Sequence, residues 1–321
     1  MNWRDSPPGV FVVVLNWNGF EESRECVHSL LRAEYPNLHI VIVDNASADG
    51  SGRLLHSTFP DLHFVQSSEN GGYAGGMNLG AAFALSKNAE YIILMNNDVV
   101  VTPGFVDPFI DIFGRNSNTG IVSPKVLYKD RKDCIYCAGA RISYALCYGV
   151  SLFQGRKHDS FGNVEGPASM AEGSCLCVRA SVFRAIGYFD PKYFMYFEDM
   201  DFSMRVNKKF GIIYTPKSII YHKSGAGRGW LVHSQLYQYF YTRNRLWFFS
   251  RFGFLYRCYV LMFSSLVVLA KSARLWMHRE KVNDFSSSVR ALWKGLSHGS
   301  ILLFGGTLPP HEEPFRSVNH S

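Results

Sequence analysis

Val10-Phe-Val-Val-Val-Leu-Asn-Trp-Asn-Gly19 is an unbroken apolar run stopped by polar residues. Residues 10–15 show no alternation of apolar and polar side chains, the mark of a parallel strand buried on both faces. Cys26, Leu30 and Leu31 then recur at helical spacing within residues 21–33, and residues 38–43 repeat the apolar run. That second run ends in Asp44-Asn-Ala-Ser-Ala-Asp-Gly50, a polar loop suited to cap a helix from Ser51 onward. His63–Gln66 reads as a third strand, an Ala-rich helix runs to Ser86, and residues 91–95 form a fourth strand. Strand and helix alternate through the first hundred residues, which predicts an α/β fold with a mostly parallel central sheet flanked by helices.

Ligands of such sheets collect at the carboxyl ends of the strands. Asn16, Asp44, Glu69 with Asn70, and Asn96 to Asp98 all fall there. Beyond Thr102 the expected elements are a helix over 105–113, a strand over 120–128, and an edge hairpin with a mobile loop over 136–170. A strand over 172–178, a short helix at Ala180–Ile186 and a helix over 202–209 follow, the last ended by Gly211 as a left-handed cap. Short strands over 212–214 and 219–221 flank Pro216. Helices dominate from Gln235 to about Leu296, and residues 307–321 read as a disordered tail. The expected division is a first domain over 1–235, in halves at 10–100 and 101–235, then a helical extension over 236–306.

Composition narrows the function classes. The 321 residues are 47% apolar and 18% charged, enough for a full core. Seven irregularly spaced cysteines argue against a disulfide framework, and Cys175 with Cys177 reads as one strand face rather than a zinc site. The formal charge is +7, and residues 231–321, with 11 Lys/Arg against 4 Asp/Glu, hold the whole excess. Those basic residues are dispersed among apolar ones without a recognition module, so no nucleic acid is expected. The uncharged stretch 258–270, 13 residues, is too short to span a bilayer but suits a buried helix or one lying against an anionic membrane surface. A plain helical cover, with a homodimer as its outcome, is the alternative. The first nine residues are polar and do not resemble a signal peptide, which places the expected location in the cytoplasm or on the cytoplasmic face of the membrane.

Two acidic motifs carry the chemistry. Met95-Asn-Asn-Asp98 offers Asp98, with help from Asn96, to a hard cation such as Mg²⁺ or Mn²⁺ whose shell a diphosphate completes. Glu198-Asp-Met-Asp201 lies among Phe194, Met195, Tyr196, Phe197 and Phe202, where partial desolvation raises a carboxylate towards a useful base. Asp201 and Arg205 are spaced to pair on the following helix, leaving Asp199 as the free base and Glu198 as orienter. His222 follows a strand and suits a metal, although a structural histidine fits the same position. The Gly-rich segment 223–229 can close over a diphosphate, with Lys223 or Arg228 countering its charge. It lacks the ending of a nucleoside-triphosphate loop, and Gly71-Gly-Tyr-Ala-Gly-Gly is not a dinucleotide fingerprint.

The chain resembles the family 2 glycosyltransferases with the GT-A fold, in the rhamnosyltransferase-like branch that is also similar to galactofuranosyltransferases. The resemblance rests on an ordered series: Val13-Val-Leu-Asn-Trp-Asn18, Val43-Asp-Asn-Ala-Ser-Ala-Asp-Gly-Ser51, Glu69-Asn-Gly-Gly-Tyr-Ala-Gly-Gly-Met-Asn78 and Leu94-Met-Asn-Asn-Asp-Val99. Phe197-Glu-Asp-Met-Asp-Phe-Ser-Met-Arg205, residues 216–222 and Arg243-Asn-Arg245 continue it. It implies an inverting, metal-dependent transferase taking a nucleoside-diphosphate sugar, rhamnose first, to a glycan or polyprenyl-linked acceptor. By the same resemblance Asp44 contacts the base, Leu15, Asn16 and Asn18 line the base and ribose pocket, and Asn70, Asn78 and Asn97 lie near the nucleotide. Asp98 and His222 become the metal ligands, Asn96 and Asn97 stand where the family often has acids, and Asp199 becomes the catalytic base. A UDP-hexose or UDP-galactofuranose transferase is the alternative, with a nucleotidyltransferase or a sugar-nucleotide binding module behind it.

Overall fold

The computed structural model describes residues 3–223, 234–282 and 284–308. They divide into two compact units, the first holding the sheet and its helices. The second holds the C-terminal helices together with Ser143–Tyr148 and Tyr193–Phe197.

In the first unit β1 (Val10–Asn16), β2 (Leu38–Asp44), β3 (His63–Gln66) and β4 (Tyr91–Asn96) are parallel, in the order β3-β2-β1-β4. The order reverses between β1 and β4, which opens a crevice at their carboxyl ends. Helices α1 (Phe20–Leu30), α2 (Ser51–Thr58) and α3 (Gly72–Ser86) link these strands. A Cβ on Gly80 of α3 would stand 2.2 Å from Val13 Cγ1, and one on Gly76 2.3 Å from Leu15 Cδ1. The glycines therefore serve close packing of helix on sheet, which explains why their spacing fits no phosphate loop.

The chain then runs through β5 (Val99–Val101), α4 (Asp107–Arg115), β6 (Thr119–Tyr128), β7 (Ile135–Cys137), β8 (Ala140–Ser143), β9 (Tyr148–Ser151), β10 (Gly166–Pro167), β11 (Cys175–Arg179), α5 (Ala180–Ile186), α6 (Glu198–Val206) and β12 (Gly211–His222). The sheet order is β10-β12-β6-β11-β4-β1-β2-β3, with β11 antiparallel to both of its neighbours. Cys175 and Cys177 are buried and free.

Several expectations need correction. Strand β11 starts at Cys175, so residues 172–174 form a loop. Helix α6 starts at Glu198, four residues early, because its acids meet the unpaired N–H groups of the first turn. Gly211 has no left-handed φ and opens β12, which is one strand with an irregularity between Thr215 and Ile219 rather than two strands. The stretch expected as a mobile loop is pinned by the buried Lys125, whose Nζ donates to His158 O, Phe161 O and Asn163 Oδ1 at 2.8, 3.1 and 2.6 Å. A buried ammonium demands such acceptors.

The second unit contains α7 (Gln235–Phe249), α8 (Phe254–Met277) and α9 (Phe285–Leu303). Within it Phe194, Tyr196 and Phe197 all have left-handed φ. Asn244 holds that strained turn by donating to the carbonyls of Tyr193, Met195 and Tyr196, each at 2.8 Å. Helix α8 buries Val260, Ser264, Val268 and Leu275 and exposes Leu255, Met262, Leu266, Leu269, Trp276 and Met277. At 24 residues it is long and apolar enough to cross a membrane by length and composition, longer than the uncharged stretch suggested. Of the expected tail, residues 309–321 lie outside the described residues.

Candidate active site

The carboxyl ends of the parallel strands form one tier: Leu15 pairs with Asn96, Asn16 with Asp44, and Asp44 with Gln66. A chain of hydrogen bonds crosses it. Asn97 Nδ2 donates to Ser23 Oγ at 2.9 Å, Ser23 Oγ to Asn16 Oδ1 at 2.8 Å, and Asn16 Nδ2 to Asp44 Oδ1 at 2.7 Å. Asp44 Oδ2 in turn accepts from Gln66 Nε2 at 2.8 Å and Ser47 N at 3.1 Å. Asn16 is 0% exposed and Asp44 2%. A Cβ at Gly52 would stand 2.4 Å from the Asp44 carboxyl carbon, so only glycine lets α2 close on it.

This geometry shows what several expected contact residues bond within the chain. Both Asp44 oxygens are engaged, and Asp44 shapes the loop 45–51. Asn18, at a left-handed φ of 50, accepts from Ala48 N at 2.8 Å and holds the same loop. Asn70 Oδ1 accepts from Asn45 Nδ2 and Gly72 N, both at 2.9 Å. Asn45, which the sequence reading passed over, is the buried partner in that bracket. Asn78 uses both ends of its amide on the Phe189 backbone, at 2.9 and 3.0 Å, and so clamps α3 to that loop. The Lys223 ammonium pairs with Glu22 at 2.7 Å, and Arg228 lies outside the described residues.

Strand β4 ends in the turn Asn97–Asp98, and β5 then swings across to pair with β12, bringing His222 opposite Val99. Asp98 Oδ1 thereby stands 3.0 Å from His222 Nε2, with Asn96 Nδ2 3.5 Å from the same nitrogen. The Asp98–His222 approach lacks hydrogen-bond geometry, and Asp98 Oδ1 is a buried atom without such a bond. His222 Nδ1 is likewise buried and unpartnered among the described residues. Two ligands about 2.1 Å from one octahedral ion, at right angles, lie about 3 Å apart, so the pair fits a shared cation. No third His, Cys, Asp or Glu joins them among the described residues, which leaves room for substrate oxygens. Burial alone would lower the His222 pKa, but the adjacent Asp98 carboxylate and the more distant Glu172 outweigh it and raise it.

The loop 172–174 couples this pair to the second acidic motif. Ser174 O accepts from Asn96 N at 3.0 Å, Gly173 O from Tyr73 Oη at 2.5 Å, and Gly173 N donates to Asp199 Oδ2 at 3.0 Å. Asp199 Oδ1 accepts from Met200 N at 2.7 Å. Burial and the neighbouring Glu172 charge raise Asp199 to about 7, against the pull of those backbone donors. Glu198 is more deeply buried, its Oε2 has no hydrogen bond, and burial with the Asp199 charge holds it well above the usual carboxylate range. Asp201 Oδ2 pairs with Arg205 Nε at 2.8 Å, leaving Asp199 as the partly exposed acid of the motif. Glu172, which sequence reasoning missed because 172–178 read as one strand, stands electrostatically between Asp199 and His222.

Residues 11–136 match the profile of glycosyl transferase family 2, and residues 91–307, more than half the chain, match that of glycosyl transferase family group 2. The chain belongs to the family 2 glycosyltransferases. This glycosyltransferase is 26% identical over 208 residues to the low-salt glycan biosynthesis hexosyltransferase Agl10 of Haloferax volcanii, covering 62% of the chain but only 61% of that protein. It is 26% identical over 235 residues to an N-acetylglucosaminyl-diphospho-decaprenol L-rhamnosyltransferase of Mycobacterium tuberculosis, covering 66% of the chain and 76% of that protein. Its fold is similar to that of the mannosyltransferase PcManGT from Pyrobaculum calidifontis, solved with GDP-Man and Mn²⁺. The TM-score is 0.54 at 14% identity, over 92% of this chain and 87% of that one. The fold is GT-A.

Proposed function

We propose that this glycosyltransferase moves a sugar, rhamnose first, from a nucleoside diphosphate to a hydroxyl of a lipid-linked glycan, with inversion at the sugar's C1. The observation that carries the reading is the 172–174 loop, which bonds Asp199 at one residue and Asn96 of the Asp98–His222 corner at the next. Asp199 removes the acceptor proton as that oxygen attacks C1 from the face opposite the diphosphate. Its two backbone donors aim the carboxylate, and its raised pKa lets it hold the proton once taken. Asp98, His222 and Asn96 would hold Mg²⁺ or Mn²⁺, which when bound supplies charge neutralisation for the departing diphosphate. The loop 45–51 and the Asn45–Asn70 bracket shape the nucleotide side. The mycobacterial relative, whose name specifies a decaprenol-linked acceptor and rhamnose, supports both choices.

The acceptor's lipid implies a membrane surface. Helix α8 has one face packed in its own unit, an exposed apolar face and no acidic residue, which suits docking on the anionic cytoplasmic leaflet.

The test is nucleoside-diphosphate release from a panel of dTDP-, UDP- and GDP-sugars, with and without Mn²⁺. Preference for dTDP-rhamnose, loss with chelator, and loss of transfer in Asp199→Asn with nucleotide binding retained are expected. Full transfer by Asp199→Asn overturns the base assignment, and release of pyrophosphate instead makes the chain a nucleotidyltransferase.

A further inference from the structure

In the second unit, Arg245 and Lys271 turn inward and meet no acid among the described residues. Tyr237, Tyr241 and Arg245 recur every four residues on α7 and so share one face of that helix. The Arg245 guanidinium lies 5.4 Å from the Tyr241 ring and 5.7 Å from Phe263. Lys271 of α8 places its Nζ 5.3 Å from the Tyr237 ring and 5.8 Å from Tyr241, and its one hydrogen-bond acceptor is Gln238 Oε1 at 3.4 Å. Tyr196 closes the group edge-on to both tyrosines. Arg245 is 4% exposed, and its Nε is buried without a hydrogen-bond partner. Neither cation makes an ion pair among the described residues, and neither α7 nor α8 contains an acidic residue.

A buried guanidinium and a neighbouring ammonium repel each other and have lost water, and the aromatic faces offset only part of that cost. Burial and the Arg245 charge accordingly push Lys271 down to about 8. Such a pair is stable when an anion completes it.

We propose that Arg245 and Lys271, within the cage of Tyr196, Tyr237 and Tyr241, form a second anion site that takes the diphosphate of the lipid-linked acceptor. The proposal rests on the transferase reading for the identity of the ligand, and the site's chemistry is that of a phosphate or diphosphate group. Farnesyl diphosphate is a suitable soluble probe. Calorimetry on the full chain should show it binding, with at least tenfold weaker affinity in Arg245→Met and in Lys271→Met. Arg245→Lys should recover part of the loss. Lys271→Met, which removes a partly desolvated charge that meets no acid among the described residues, should not lower Tm, so weaker binding there is not a folding defect.

Three further arms separate the sources. An excess of nucleoside diphosphate should leave farnesyl diphosphate binding unchanged; competition would assign the anion to the donor site and overturn the proposal. Phosphatidylglycerol vesicles that alone lose affinity in the variants, with farnesyl diphosphate unaffected, would reassign the site to membrane headgroups. Hydrolysis of the nucleotide sugar by water should be unchanged in both variants. If no donor is hydrolysed but Arg245-dependent binding persists, the transferase reading fails and the anion site stands; equal affinity in wild type and both variants overturns the site alone.

Discussion

Asp199 meets two opposing demands at the residue scale. In the proposed role of base it needs a raised pKa, yet an acid raised to about 7 weakens the fold at working pH. The folded chain holds that proton more tightly than the unfolded chain, so the stabilisation is complete below 3.8 and is lost as pH rises through 7. Asp199→Asn should therefore raise Tm at pH 8, and by less at pH 5, while abolishing transfer; equal Tm shifts at the two pH values would contradict the assignment. The groups that face Asp199 are Glu172 and Glu198, with the N–H groups of Gly173 and Met200. Removing one negative neighbour lowers its pKa, so Glu172→Gln should move the acidic limb of the kcat–pH profile to lower pH. An unmoved limb with a lower plateau would give Glu172 a steric role only. None of this was readable from residue 172 itself, because its charge matters through a loop that the one-dimensional pattern had merged into a strand.

At the scale of elements, close packing and strained turns decide the geometry. Helix α3 lies against β1 and β2 because Gly76 and Gly80 have no Cβ. Gly80→Ala forces that helix off the sheet and should cost about 1–3 kcal/mol in urea unfolding. A loss below the resolution of the experiment would show that the helix shifts freely. Asn244 is the counterpart in the C-terminal unit, satisfying three carbonyls of a turn with three left-handed non-glycine residues. Three such residues are strained unless their surroundings fix them. The parallel strands and α3 were legible, since two-face burial produces long apolar runs and small residues mark helix contact. The start of α6 was not, because an acidic first turn and an acidic loop have the same composition.

For the whole molecule, charge and hydrophobic exposure are segregated along the chain. The entire net positive charge falls after residue 230, in the segment that also carries the exposed apolar face of α8. Leu266→Asp with Leu269→Asp should release the protein from phosphatidylglycerol vesicles without changing donor hydrolysis in solution. Retained binding by that variant would remove α8 as the membrane contact, and a shift from dimer to monomer would make the face an interface between copies.

Local apolar periodicity determined the α/β class, and strand-end polarity located the candidate site, because burial on both faces and ligand binding at strand ends leave marks within a few residues. The Asp98–His222 corner, the engagement of Asp44 and Asn78, and the approach of Arg245 and Lys271 with no acid beside them among the described residues were decided only in three dimensions. Each depends on groups distant in sequence, and whether an amide, carboxylate or cation is free is a property of its neighbours in space.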